Sequence, residues 1–428
     1  MRTVAQLAAS IGGDAPGSVA GTNDAVASGV EGRRLLVLAL TASFGGALAG
    51  CYVHHERRNL PSPPADDVAR DAGLDASEAS ASGDPRPSDS GVPVGADGGG
   101  DPPPPREVAC EAPQGVDLLL VMDDSGSIRL MDEAIRDSLR RMLYELVRPL
   151  DADGDGWEDW ARVTDLQVGV VTTSATGPRF CAHAADGALM RGTPATLPYC
   201  RDSPYPAITR FEEDDSVSRL LDDVSCVAFG PRDGCQVEQP LEAMAKALLP
   251  NAAPFDFVTG RARGDRENAG FLRPDSVLVV LVFANEDDCS IADPSAFDPP
   301  DAGPPQDAGR VVPPLFDAGA PPGTFVCEAP DEGDLHDVER YLEILRWLRP
   351  DPRRLVFGAV SGIDEFVDDP RPGERYGRCR RGAGYPTRLV ELAQGLEGRA
   401  LLSSLCDIRE ARMVRGIAER IAHAACAD

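Results

Sequence analysis

Positive charge, histidine and aromatic side chains are scarce in this 428-residue chain, and each shortage removes a class of function. Lys and Arg number 42 against 70 Asp and Glu, a formal net charge of −28. Such a balance opposes contact with phosphate backbones and anionic lipid surfaces, so nucleic acid is excluded as a partner. The five histidines, His54, His55, His183, His336 and His423, form no His-Glu-x-x-His arrangement, and no cysteine pair has zinc-finger or zinc-ribbon spacing. Cys181-Ala182-His183 reads as a loop cysteine beside a surface histidine. Gly-x-Ser-x-Gly is absent too, so Ser125 has no nucleophile-elbow context, and the many carboxylates read as a solvated surface. The expectation is a protein that is not an enzyme. The aromatic fraction of 5%, set against abundant Ala, Asp, Arg, Gly and Pro, reads as genomic base composition rather than chemistry.

What is present begins with an address. Arg33-Arg34 precede the apolar run Leu35-Leu36-Val37-Leu38-Ala39-Leu40, and small residues lead to Leu48-Ala49-Gly50-Cys51. Two arginines, an apolar stretch too short for a stable span and small residues at a cleavage point describe an export signal. Leu48 to Cys51 resembles the bacterial lipobox, whose cysteine is lipidated and becomes the mature first residue. The resemblance implies a signal peptide over residues 1–51 with a start near Val30, a membrane anchor through lipid on Cys51, and residence in the bacterial cell envelope. Tyr52, which is not an aspartate, points to the outer membrane or cell surface. Apart from Cys51, ten of the eleven cysteines remain, an even number that suits an oxidising compartment and five disulfides.

Residues 52–109 are Pro, Asp, Ser, Gly and Ala with almost no large apolar side chain, and are expected to form a disordered acidic tether. A second low-complexity stretch, 298–323, repeats Asp-Ala-Gly at Asp301, Asp307 and Asp317 and reads as an insertion in a surface loop. Between and beyond these breaks lie four apolar runs: Val116 to Met122, Leu166 to Val171, Val277 to Phe283 and Leu355 to Val360. Continuous apolar runs are expected of parallel strands covered on both faces. Met131, Ile135, Leu139, Met142, Leu143 and Leu146 repeat at helical spacing and stop at Pro149, and Leu335, Val338, Leu342 and Leu345 form a second stripe ending at Pro350. A last helix is expected to open with Asp407 and Glu410 as a capping box and to bury Val414, Ile417 and Ile421. Residues 110–428 are thus expected to form one α/β domain, a doubly wound, mostly parallel sheet flanked by helices.

The sharpest motif is Asp123-Asp124-Ser125-Gly126-Ser127, at the carboxyl end of the first strand, where ligands of doubly wound sheets sit. An apolar strand running into Asp-x-Ser-Gly-Ser resembles the metal-ion-dependent adhesion site of von Willebrand factor type A domains and integrin inserted domains. One carboxylate and two hydroxyls are hard oxygen donors suited to magnesium or another divalent cation. The resemblance implies a binding or adhesion domain in which an acidic group of a protein ligand completes the coordination shell. The family adds a threonine before a central helix and an aspartate after the fourth strand. Here the loop Asp233-Gly234-Cys235-Gln236-Val237-Glu238 offers Glu238 instead, and Asn285 stands where the aspartate is expected, with Glu286, Asp287 and Asp288 beside it. These departures, with Asn268 to Asp275 before the fourth strand, resemble von Willebrand type A lipoproteins of predatory and soil bacteria. The metal set expected on this basis is Asp123, Ser125, Ser127, Asn285, Glu238 and Asp287; without metal, Asp123, Ser125 and Ser127 would only hydrogen-bond the loop.

A second acidic motif, Asp151, Asp153, Asp155 and Asp159 around Gly154 and Gly156, is similar to the start of a calcium loop, although Arg162 stands where an EF-hand needs glutamate. It reads either as a weak calcium site or as a solvated acidic turn. The favoured disulfides are Cys110 to Cys426, clasping the ends of the domain as in some members of the family, and the local pairs Cys181 to Cys200, Cys226 to Cys235, Cys289 to Cys327 and Cys379 to Cys406. Three functions follow: a surface lipoprotein recognising a protein ligand with metal assistance, a metal-free structural component of the envelope, and, least favoured, a hydrolase with an unrecognised site.

Overall fold

The structure, a computed structural model, describes residues 105–110, 113–175, 185–192, 197, 199–201, 204–230, 234–235, 237–293, 333–379 and 383–426. Two compact units divide the chain, Met1–Gly95 and Ala96–Asp428, and every described residue belongs to the second. Cys51, Cys181, Cys327, the signal, nearly all of the tether and the 298–323 insertion lie outside the described residues.

In chain order the elements are β1 (Val116–Met122), α1 (Asp132–Val147), β2 (Asp165–Thr172), β3 (Ile208–Glu212), α2 (Val217–Ala228), α3 (Pro240–Leu248), β4 (Val277–Phe283), α4 (Val338–Leu348), β5 (Leu355–Ser361), β6 (Val367–Asp368), α5 (Thr387–Gly395), β7 (Ala400–Ser404) and α6 (Ala411–Ala425). They build a mixed seven-stranded sheet in the order β3-β2-β1-β4-β5-β7-β6, flanked by helices. The five inner strands are parallel, and β3 and β6 close the edges antiparallel.

Every residue of β1, β4 and β5 is buried, which is why these strands read as unbroken apolar runs. Alternate side chains serve opposite layers. Leu118, Leu120 and Met122 pack with Ile135 and Leu139 of α1, Val224 of α2 and Ile417 of α6, while Leu119 and Val121 pack with Met244 of α3, Leu345 of α4 and Leu392 of α5. Helix α1 follows its apolar spacing, carries Asp132 and Glu133 in its first turn and ends just before Pro149. Met131, the first residue of that stripe, belongs instead to a separate 3-10 turn, Ser127–Met131. Helix α6 starts later than expected: Glu410 is its N-cap without a side-chain cap bond, so Asp407 and Glu410 form no capping box.

Asp117 is the one polar residue of β1 and is fully buried. Its carboxylate accepts the Arg273 backbone N–H at 2.6 Å, Arg273 Nε at 2.7 Å and the Ser276 hydroxyl. Asn268 is buried alongside, accepting Leu189 N–H and donating to the carbonyls of Gly187 and Ala247. The segment leading into β4 is therefore a set of bolts between strands and loops.

Two disulfides match expectation, Cys110–Cys426 and Cys379–Cys406. Two do not: Cys200 bonds Cys226, which excludes both Cys181 to Cys200 and Cys226 to Cys235. The reason is spatial, since Cys226 lies on α2, whose apolar face packs with the segment at Cys200, so the nearer neighbour in space is not the nearer in sequence. Cys235 and Cys289 are disulfide-bonded as well.

Candidate cation site at the top of the sheet

β1 pairs with β2 on one side and β4 on the other, so successive crossovers leave in opposite directions and a crevice opens above the carboxyl ends of β1 and β4. Asp123 follows β1 and Asn285 follows β4 by two residues, which brings both into that crevice. Asp123 donates its N–H to the Phe283 carbonyl, while its Oδ1 accepts Ser125 N–H at 2.7 Å. The hydroxyls of Ser125 and Ser127 are 2.7 Å apart, and Ser127 Oγ lies 3.3 Å from Asn285 Oδ1 and 3.2 Å from Asn285 Nδ2. Asn285 N–H points to Asp123 Oδ2 at 3.5 Å. Four of the expected ligands thus converge, three of them almost fully buried.

Glu238, the fifth, joins them from the loop before α3. It is 1% exposed, and among the described residues neither of its carboxylate oxygens has a hydrogen-bond partner of good geometry. Burial first, and then repulsion from Asp123 and Glu286, holds its carboxyl well above the usual range. Burial likewise raises Asp123, opposed by hydrogen bonds from its neighbours. Two buried carboxyl groups facing each other are destabilising unless a proton or a cation lies between them. The donors on offer are all oxygens, two from carboxylates, two from hydroxyls and one from an amide, a set that fits a hard divalent ion.

Asp287 is not part of this group. Its carboxylate accepts the backbone N–H groups of Arg388, at 3.0 Å, and Leu389 in the first turn of α5. An amide-rich helix start is a stronger attraction than a site already carrying two acids. Asp288 does the same for α3, accepting Leu241 N–H at 3.0 Å, and it also pairs with Arg388 Nε at 3.1 Å. Burial lifts Asp287 to about 7 despite those amides.

Three residues absent from the expected set belong to the neighbourhood. Thr173 continues β2 beside Asp123, donating its N–H to the Met122 carbonyl, and its buried hydroxyl has no partner among the described residues. Ser174 and Asp124 tie the loops together. The polar triplet Thr172-Thr173-Ser174, ending an apolar strand at the same level as Asp123, was the available signal.

At the opposite edge of the sheet, Asp151, Asp153 and Asp155 bring carboxylate oxygens within 4.8 Å of one another. Asp151 accepts N–H groups from Gly154, Asp155 and Gly156, and Gly154 and Gly156 take positive φ. Asp159 is turned away, accepting Ala152 N–H and pairing with Arg415 at 2.7 Å, because the guanidinium from α6 reaches it first. Arg106 pairs with the same loop through Gly156 and Glu158 and lies over Trp157, so the chain just ahead of Cys110 is held to the domain.

No family model matches the chain, and no curated protein matches it. Among solved structures it is similar to proximal thread matrix protein 1 from the mussel byssus, with 12% identity and a TM-score of 0.27 over 74% of this chain and 50% of that one. It is also similar to the PilB minor pilin from Streptococcus sanguinis, with 9% identity and a TM-score of 0.33 over 74% and 63%. A third is the pilus adhesin SpaC from Lactobacillus rhamnosus GG in its open conformation, with 10% identity and a TM-score of 0.32 over 74% and 31%. The chain therefore spans between 31% and 63% of the length of these structures.

Proposed function

We propose that this protein is a surface-anchored binding module of the von Willebrand type A kind. In this reading Asp123, Ser125, Ser127, Asn285 and Glu238 hold a divalent cation, magnesium first, and the face around them receives a protein ligand. The observation that carries the reading is Glu238, a buried carboxylate set against Asp123 whose oxygens meet no hydrogen-bond partner of good geometry among the described residues. A bound divalent cation would neutralise this pair and present Lewis acidity to an oxygen donor of the partner. The chain's own part is to orient the donors: Asp123 is fixed by Ser125 N–H, and Ser127 aligns Asn285. The cluster Asp151, Asp153 and Asp155 is the place for a weaker calcium ion. Lipid on Cys51 supplies the membrane anchor.

The metal-free reading, a structural envelope component, rests on the raised carboxyls, since one proton shared by Glu238 and Asp123 also satisfies the pair. Titration calorimetry of the full-length chain with MgCl2 separates the two. Wild type is expected to bind, Asp123→Ala to lose binding, and Asn285→Asp to bind more tightly because a carboxylate replaces an amide. Absence of any magnesium-dependent heat in wild type favours the metal-free component.

A further inference from the structure

The Glu238 loop is held down from a side that the ligand set does not use. Gly234 N–H donates to the Asp124 carbonyl at 3.0 Å. The Ser174 hydroxyl donates to Asp124 Oδ1 at 2.8 Å and itself accepts Cys235 N–H at 2.8 Å. Gly234 lies so close to the Asp124 carboxyl that a Cβ there would overlap it, which leaves glycine as the residue for this approach. Downstream, Gln239 N–H donates to the Thr173 carbonyl at 2.8 Å, and the Glu238 carbonyl accepts Cys289 N–H at 2.7 Å. Gly234 and Cys235 are thus pinned upstream by Asp124 and Ser174, where Cys235 is also disulfide-bonded, and Glu238 and Gln239 are pinned downstream by Cys289 and Thr173.

We infer that Asp124 and Ser174 are positioning residues that hold Glu238 in the cation site, although Asp124 is itself an acid lying between two ligands. The inference rests on the cation reading above. Its physical basis is geometric: Glu238 is almost fully buried, its carboxyl oxygens have no hydrogen-bond partner of good geometry among the described residues, and swinging outward would return them to solvent. The latch opposes that motion, so the carboxylate is already in place when a cation arrives. Removing it leaves Asp123, Ser125, Ser127 and Asn285 untouched and takes away one charged donor.

The test is Mn2+ binding to the full-length chain, followed by loss of the free-ion electron paramagnetic resonance signal, in a double-mutant cycle of Ser174→Ala and Glu238→Gln. Ser174→Ala is expected to weaken Mn2+ by ~10–100-fold, as outer-shell partners of metal ligands do. In the Glu238→Gln background the same change is expected to have almost no further effect, which a general loosening of the fold would not reproduce. Asp124→Ala should follow Ser174→Ala, and Asp124→Asn, which keeps an acceptor for the Ser174 hydroxyl, should restore binding to near wild type. Wild type binding Mn2+ while Ser174→Ala binds equally well, or losses that simply multiply in the double variant, would overturn the inference and leave the cation reading standing. A wild type that binds no Mn2+ overturns the cation reading, and this inference with it.

Discussion

At the scale of single residues, burial is what turns ordinary acids into sensitive ones. Glu238 carries its proton far above the usual carboxylate range because desolvation and the Asp123 charge both disfavour ionisation. A cation must displace that proton, so magnesium affinity is expected to rise with pH, and Glu238→Gln should flatten the dependence as well as weaken binding; calorimetry at several pH values reads both. Asp287 shows the same physics without metal. Its folded value of about 7 lies above the ordinary 3.8, so the protonated form favours folding. That contribution is complete below about pH 4 and is lost as pH rises through 7. Asp287→Asn keeps an oxygen for the Arg388 amide and removes the titration. In chelator, its unfolding temperature should therefore fall less than that of wild type between about pH 5 and about pH 8. An equal fall in both proteins would assign the pH dependence to other groups.

At the scale of elements, the loop after β4 joins the site to two helices. Asn285 faces Ser127, Asp287 caps α5, and Asp288 and Ser290 satisfy the Leu241 and Glu242 amides that open α3. Asp288→Ala leaves the largely buried Arg388 guanidinium without this partner and frees an α3 amide; losing one member of such a pair should destabilise by about 3–5 kcal/mol, measurable by urea denaturation. The sequence spells out Glu-Asp-Asp, but their division of labour depends on where α3 and α5 begin, which no local pattern states. The same distinction governs the rest of the fold. β1 and β4 are legible to the residue, because strands covered on both faces cannot avoid apolar runs. β3 is missed because an edge strand of five residues alternates exposed Arg210 and Glu212 with buried Thr209 and Phe211, and β7 because Ser403 and Ser404 interrupt its apolar run. Asp123, Ser125 and Ser127 are legible as a motif on one loop. Glu238 was visible only as a substitute in an expected position, and Thr173, Ser174 and Asp124 enter through pairing across strands.

At the scale of the whole domain, the described chain enters and leaves at the edge opposite Asp123 and Asn285. Gln114 N–H donates to the Ala425 carbonyl, Cys110 bonds Cys426, and Val116 then starts β1 at the amino-terminal edge of the parallel strands. The loops above Asp123 and Asn285 therefore lie at the end of this domain away from Gln114 and Cys426. Leu130 belongs to that end, 97% exposed on the 3-10 turn that starts at Ser127. If the protein is anchored by lipid and displayed outward, metabolic labelling with a fatty acid should mark wild type but not Cys51→Ser, and only wild type should fractionate with membranes. A Leu130→Cys variant should then react with a membrane-impermeant maleimide on intact cells, because its side chain stands clear of the domain. Labelling of Leu130→Cys only after the envelope is opened would place the domain inside the cell boundary, and equal lipid on Cys51→Ser would remove the anchor from this account.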